Sequence, residues 1–341
     1  MMIPEKSRFL VFALGIFFCY FLYGILQEKI TRGRYGQQTN EDGSIGERFS
    51  YALALVWVQC FCNYLFAKGL LTVRPQKEDT THSGYYAVNA LTYLLGMVSS
   101  NMALRWVPYP TQVVGKSAKP IPVMILGVLI GRKVYSVTRY ACVTVIVLGV
   151  VLFMYKEGKA STVESYDSNA VLGQLLLILS LSMDGLTGAV QDRLRSSSAP
   201  SGQQMMLAMN FWSSIMLAVA LIVSGEGIEF IHFASRHPEL WSHLGLLALC
   251  GCLGQLFIFL MVAGFGPLAC SVVTTTRKFF TVLCSVVLFG NVLIARQWFG
   301  AVLVFAGLFA DMFYGKNTSA AGKKATAVKD KDYEEKKKLS S

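Results

Sequence analysis

VVGKSAKPIPVMILGVLIG, residues 113–131, decides the fold: it is apolar over a membrane's thickness, carries Lys116 and Lys119, and contains no acid. A second stretch, PLACSVVTTTRKFFTVLCSVVLF at 267–289, is equally apolar and is interrupted by Arg277 and Lys278. A helix crosses the hydrocarbon with about 20 apolar residues, so both segments read as transmembrane. Insertion scales place a mid-helix Lys or Arg at about 2.5–3.5 kcal/mol each, roughly 10–14 kcal/mol for four. Snorkelling to an interface, or pairing with an acid on a neighbouring helix, accounts for one such cation more readily than for four. The cations therefore read as functional.

Composition extends the membrane reading to the whole chain. Hydrophobic residues make up 54% of the sequence and charged residues only 15%, and the mean hydropathy is +0.48. Apolar runs near 9–27, 49–72, 84–104, 111–131, 137–155, 171–190, 205–224, 241–264, 268–289 and 295–314 predict ten spans. The runs are continuous rather than alternating with period two, which selects helices over a barrel. The loops are short and leave no room for a soluble catalytic domain. The apolar segment after Lys6 and Arg8 runs from Phe9 to Leu26 without a small-residue cleavage site, so it reads as a retained helix and not a signal peptide.

The formal charge of +11 does not indicate nucleic-acid binding. Eight lysines lie in the stretch from Lys316 to Lys338, among Ser, Ala and Gly with no apolar period, which reads as a solvated tail. Lysine at 336–338 misses the spacing of a dilysine retrieval signal, because Leu339 holds the third position from the end. Cysteines at 19, 60, 62, 142, 250, 252, 270 and 284 fall inside apolar runs and read as reduced packing residues. His82, His232, His237 and His243 sit in loops or at helix ends, so no metal site, cofactor or catalytic group is expected. Gly115-Lys116-Ser117 lacks the upstream glycine and strand of a phosphate-binding loop, since Pro110 stands where that glycine would be. Gly127 and Gly131 form a GxxxG pair suited to close helix approach.

The chain also repeats itself. GILQEK at 24–29 returns as GAVQDR at 188–193, and at an offset of 158 Lys119 falls on Arg277, Tyr140 on Trp298, Gly149 on Gly307 and Met154 on Met312. Two halves of five helices follow, and because five is odd the second half crosses in the opposite sense. The expected fold class is an all-α integral membrane protein, with ten transmembrane helices as two inverted five-helix repeats. Its expected parts are an amino terminus at 1–8, a first repeat at 9–156, a loop at 157–170, a second repeat at 171–315 and a disordered tail at 316–341. Within it the fourth and ninth spans face one another near the midplane, where such folds bind substrate. On the fourth, Gln112, Lys116 and Lys119 share a helical face, with Ser117 beside them; on the ninth, Ser271, Thr274, Arg277 and Thr281 do, with Lys278 turned about 100° away.

Hydroxyls and an amide beside four cations suit phosphate oxygens. Asp184 and Asp311 are the intramembrane acids that could answer them, so the balance stays positive and the expected guest is an anion; Asp184 is also a candidate partner for Lys278. Tyr109, with Tyr20, Tyr93 and Phe280, is a candidate for stacking on a base. Gln27, Glu28 and Lys29, matched by Gln191, Asp192 and Arg193, read as a pair of polar gates, with interfacial capping as the alternative.

YGILQEKITRGRYG at 23–36, YPTQVVGKSAKPIPVMILGV at 109–128, SLSMDGLTGAVQDRLR at 180–195 and GPLACSVVTTTRKFFTVL at 266–283 resemble the nucleotide-sugar transporter family, solute carrier family 35, B branch, within the drug/metabolite transporter superfamily. The resemblance covers about residues 9–315. It implies a multi-pass protein of the endoplasmic reticulum membrane with both termini cytosolic, importing cytosolic ATP into the lumen in exchange for ADP by alternating access. It further implies that Lys116 and Lys119, with Arg277 and Lys278, hold the phosphates. The alternative it leaves open is exchange of a UDP-sugar for a nucleoside monophosphate in the endoplasmic reticulum or Golgi. Its implied partners are the nucleotides ATP and ADP and the lipid bilayer, with no nucleic acid.

Overall fold

The computed structural model describes residues 4–39, 45–103, 106–107, 112, 115–154, 168–288 and 294–310. Its helices are α1 (Glu5–Arg32), α2 (Ala52–Val73), α3 (Ser83–Ala103), α4 (Pro120–Leu129), α5 (Val137–Met154), α6 (Ser168–Ser197), α7 (Gly202–Ser224), α8 (Glu226–Arg236), α9 (Glu239–Phe265), α10 (Pro267–Leu288) and α11 (Ala295–Ala310). By length and composition α1, α2, α6, α7 and α9 can each cross a membrane, and α4, α5 and α11 are shorter apolar helices. Helices α3 and α10, 21 and 22 residues long, carry polar residues within their apolar runs. Their polar residues point inward: Asn89, Thr92, Ser99 and Ser100 on α3, and Ser271, Thr275 and Thr276 on α10, are buried. Tyr109, Asp311 and the tail at 316–341 lie outside the described residues.

Two compact units share the chain. The first comprises residues 1–94 and 193–274, the second residues 95–192 and 275–341.

In the first unit α1 packs on α9 through rings and glycines. Phe9 meets Phe265 edge-on at 5.1 Å, and Gly15 leaves room for Phe257. Helix α2 packs on α7, where the Trp57 indole donates to the Ser214 carbonyl at 3.1 Å. Helix α7 begins with a capping box: Ser201 Oγ accepts from the Gln204 amide, and the Gln204 side chain accepts from the Ser201 amide, which satisfies two N–H groups at a helix start. At one end of the unit Gln204 Nε2 donates to the Lys77 carbonyl, and Arg195 donates to the carbonyls of Ala263 and Gly264.

The segment after α1, expected as a loop in an all-helical chain, is instead a hairpin of β1 (Arg34–Thr39) and β2 (Ile45–Arg48), antiparallel, with Arg34 opposite Arg48 and Tyr35 opposite Glu47. Gly36 and Gly46 take φ of 81° and 84°, a region that residues with a Cβ seldom occupy. The hairpin is fixed by α8, also unexpected, which the residues 226–236 form because Glu226 and Glu229 favour its first turn and Phe230, Phe233 and Ala234 recur on one face. Tyr35, Phe49, Phe230 and Phe233 are buried together, and Arg236 reaches Glu47 at 2.9 Å. Burial, and then the Glu239 carboxylate, raise the Tyr35 phenol above its ordinary pKa. Periodicity missed both elements because each buries its apolar face on the other.

In the second unit α5 and α11 meet glycine to glycine. A Cβ on Gly149 would lie 2.8 Å from both the Gly300 carbonyl and the Val304 amide. One on Gly307 would lie 2.7 Å from an Ile146 side-chain carbon and 3.3 Å from the Cys142 carbonyl. Only glycine admits backbones this close. Phe279 on α10 joins this pair through Phe153, edge-on at 4.7 Å, and through Phe305.

Candidate functional site

The cationic segment at 111–131, expected as one continuous helix, is broken at Lys119. Gly115–Ser117 are helical, Ala118 and Lys119 form a turn, and α4 starts at Pro120. The cause is covalent. Pro120 and Pro122 have no N–H to give to the carbonyls of Lys116 and Ala118. Those carbonyls accept instead from Lys119 N at 3.3 Å and Ile121 N at 3.0 Å, one residue closer than in an α-helix. The tight turn brings both lysines onto the same acid.

That acid is Asp184 of α6. Lys116 Nζ lies 2.5 Å from Asp184 Oδ2 and Lys119 Nζ 3.3 Å from Oδ1. Lys116 also donates to Ser180 Oγ at 2.6 Å, and Ser180, one turn before Asp184, donates to the Gly96 carbonyl. Lys278 lies within Coulombic range of Lys119, Arg277, Lys116 and Asp184. Thus Lys116, Lys119, Arg277 and Lys278 are brought together inside the second unit. Asp184 spends both oxygens on Lys116 and Lys119, so the alternative pairing with Lys278 is not formed. Among the described residues Asp184 answers Lys116 and Lys119, with Lys278 close by.

The remaining candidates divide. Gln112 Nε2 donates to the Ser100 carbonyl at 2.8 Å and to Ser100 Oγ at 2.9 Å, which holds the approach to Gly115 against α3. Ser117 is fully buried and takes part in an interaction of its own. Thr274 Oγ1 donates to the Cys270 and Ser271 carbonyls of its own helix, and Ser271 Oγ is buried without a hydrogen-bond partner. Both belong to the first unit.

The two copies of the Gln-acid-base motif occupy unlike surroundings. Gln27, Glu28 and Lys29 are exposed on α1, whereas Asp192 is 1% exposed, Gln191 and Arg193 being half-buried. Asp192 pairs with Lys133 at 3.8 Å. Gly127 and Gly131 make room for it, since a Cβ on Gly131 would lie 3.0 Å from that of Asp192.

Comparison with known proteins says in what kind of protein this cluster sits. The model of the UAA transporter family matches residues 8–314. The chain belongs to the UAA transporter family. The transporter is 72% identical over 337 residues to the solute carrier family 35 member B1 homolog of Drosophila melanogaster, covering 99% of each chain. It is 50% identical to solute carrier family 35 member B1 of Gallus gallus over 92% of this chain and 94% of that one, and 48% identical to that of Rattus norvegicus over 93% and 97%. Its fold resembles that of a solved crystal structure of a protein, with a TM-score of 0.52 and 11% identity over 90% of this chain and 98% of that one, a likeness of fold alone.

Sequence reasoning about the transporter missed Ser180, Ser100 and Lys133, and a set of buried amides in the first unit. There Gln59 donates to Asn63 at 2.9 Å, Asn63 to Asn210 at 3.3 Å and Asn210 to Gln255 at 2.7 Å. Ser180 had a signal, standing four residues before Asp184 and so on its face of α6. The amides had one too, as polar residues inside apolar runs.

Proposed function

We propose that this transporter is an antiporter of the endoplasmic reticulum membrane that imports cytosolic ATP into the lumen in exchange for ADP by alternating access. The observation that carries the reading is the gathering of Lys116, Lys119 and Lys278 about Asp184, with Arg277 next to Lys278 in the chain. Cations gathered in low dielectric are costly to close off from water, whereas a bound polyphosphate neutralises them, so the carrier changes sides readily only when loaded. One-for-one exchange follows. The curated relatives carry the name solute carrier family 35 member B1 over nearly their whole length, in agreement with this reading.

The architecture that goes with it is ten spans in two inverted repeats, 9–156 and 171–315, with both termini cytosolic. Support comes from the packing of α5 on α11. Adding or subtracting 158 turns the contact of Gly149 with Val304 into that of Gly307 with Ile146, and the contact of Gly149 with Gly300 into that of Gly307 with Cys142. A set of contacts that maps onto itself is what a two-fold axis between repeats produces. Parity adds to it. The hairpin β1–β2 touches α8, so the chain between them crosses an even number of times. Helices α2, α3, α5, α6 and α7 give five, and the broken segment at Gln112–Gly131 supplies the sixth.

The test is uptake of labelled ATP into proteoliposomes of purified protein. ADP-loaded vesicles take up ATP, and empty vesicles far less; equal uptake into both overturns exchange. The alternative, UDP-sugar for nucleoside monophosphate, is favoured by one observation: Asp184 already answers Lys116 and Lys119, which leaves less positive charge for a guest. Competition separates the two, because ATP and ADP displace labelled ATP and UDP-sugars do not. For orientation, a glycosylation acceptor placed in the β1–β2 hairpin is modified, while the sequence's own Asn317-Thr318-Ser319 is not.

A further inference from the structure

We infer that α8 is an interfacial helix, one face of which, carrying Ile228 and Ile231, is seated in the phospholipid layer beside α7 and α9. The inference holds whichever substrate the transporter carries. Helix α8 has 11 residues, about half of the roughly 20 that cross a membrane. Helix α7 before it has 23, roughly 34 Å at about 1.5 Å each, against a hydrocarbon core of about 30 Å. So α7 ends at a membrane surface. Gly225, at φ 73°, closes α7 and opens α8, and the next span, α9, starts at Glu239. Helix α8 therefore begins and ends at one surface and lies along it.

Its residues sort onto three faces. Phe230, Phe233 and Ala234 are buried with the hairpin and the ends of the spans. Glu226, one turn before Phe230, accepts from the Ala54 amide at 3.0 Å, which ties the start of α8 to the start of α2. Glu229, His232 and Arg236 recur at i, i+3 and i+7 as an exposed polar strip. Ile228, Ile231 and Ser235 recur in the same way on the third face, where the two isoleucines are 67% and 65% exposed. Ile222 and Val223 in the last turn of α7, and Trp241 in the first turn of α9, are exposed as well. The open apolar surface of α8 thus continues that of the spans on either side of it in the chain, and the lipid covering the spans covers it too. Tryptophan is favoured at this level of a membrane.

The lipid it meets is chosen by apolarity rather than charge. Interfacial helices that depend on anionic lipid carry Lys and Arg along the polar face. Here Glu226 and Glu229 stand against one arginine, and Arg236 is engaged by Glu47 at 2.9 Å. Zwitterionic phospholipid therefore suffices, with the isoleucines about 5–10 Å into the boundary of headgroups and acyl chains. Held by lipid on one side and by the aromatic cluster on the other, α8 carries the hairpin at a fixed height above the membrane.

The experiment attaches an NBD fluorophore to Ile228→Cys, Ile231→Cys, Glu229→Cys and His232→Cys in full-length protein in phosphatidylcholine nanodiscs. It compares quenching by lipid brominated on its acyl chains with quenching by aqueous iodide, after subtracting the signal of unsubstituted protein treated alike. Bromolipid quenches positions 228 and 231 about 3-fold more than 229 and 232, iodide gives the reverse order, and adding phosphatidylserine changes neither. Iodide quenching at 228 and 231 equal to that at 229 and 232 overturns the inference, because α8 then stands in water. Quenching there by neither agent also overturns it, because protein, such as a second copy of the chain, then covers the face. A requirement for phosphatidylserine overturns the apolar seating. A phospholipid with a diazirine on its acyl chain tests the unsubstituted protein: its adducts within α8 fall on Ile228 and Ile231, and adducts on α7 and α9 with none on α8 overturn the inference.

Discussion

Both units bury polar side chains among apolar helices, but the first buries amides and the second buries charges. In the first, Gln59, Asn63, Asn210 and Gln255 hydrogen-bond in series, with Gln59 Oε1 buried and unpartnered at one end. In the second, Lys116 and Lys119 share Asp184, with Lys278 close by. A series of neutral amides carries no net charge to be balanced and contributes to packing specificity. A cluster of cations draws in negative charge. The function proposed above gives stability to the first unit and ligand affinity to the second, a division that substitution can break.

The largest effect is expected at Lys116. Lys116→Ala removes a cation with two hydrogen bonds, and losing a buried charged contact to ligand costs about 2–5 kcal/mol, roughly 30-fold to several thousand-fold in affinity. Exchange in proteoliposomes falls below detection. The structure adds a complication absent from the sequence, because the substitution also leaves Asp184 with Lys119 alone. Lys116→Met combined with Asp184→Asn removes both charges, and it is expected to recover thermal stability without recovering exchange. Recovery of exchange by the double variant would show that the cluster serves folding rather than binding.

The glycine contact of α5 and α11 comes next. Gly149→Ala and Gly307→Ala each insert a methyl group where backbone or side-chain atoms stand within 2.8 Å, and overpacking of this kind costs about 1–3 kcal/mol. Melting of the purified protein without nucleotide reads the loss. A two-fold relation between the helices predicts similar losses for the two variants; a loss confined to one would argue against it. Asn210→Ala, in the amide series, leaves Asn63 and Gln255 short of a partner. Such bonds within membranes are worth about 0.6–2 kcal/mol. Melting falls by that order, and the ADP to ATP binding ratio stays where it was.

How much of this was legible depends on what each feature rests on. The apolar runs declared α1, α2, α6, α7 and α9 because burial in lipid demands nothing but apolarity over a length. The gathering of the four cations was legible because charges are conspicuous there. The partner of Lys116 and Lys119 was not. Asp184 stood equally ready for Lys278 until the turn at Pro120 aimed both lysines at it. Prolines announced a break, but the side on which a broken helix presents its residues is a tertiary matter. The hairpin and α8 escaped for the same reason, their aromatic faces having no meaning until Tyr35 and Phe49 lie against Phe233. Asp192 escaped because its motif was read by similarity to Glu28, and similar sequences sit here in opposite surroundings, one exposed and one buried.

The smallest effect is expected outside the membrane, at the junction of hairpin and α8. Glu47 meets Arg236 at 2.9 Å and His237 Nε2 at 3.7 Å, but Arg236 is more than half exposed, and exposed ion pairs contribute about 0–1 kcal/mol. The aromatic contacts of Tyr35, Phe49 and Phe233 hold the same junction through buried area. Glu47→Gln therefore changes melting by less than Phe233→Ala, which empties the centre of that cluster, at about 3–5 kcal/mol for a buried ring. Raising the salt concentration removes what little difference Glu47→Gln makes and leaves the loss from Phe233→Ala unchanged, because screening acts on the surface pair and not on packing. A salt-insensitive loss at Glu47 comparable to that at Phe233 would mean that the hairpin is held by charge, and would erase the distinction between the two units that places functional charge in the second alone.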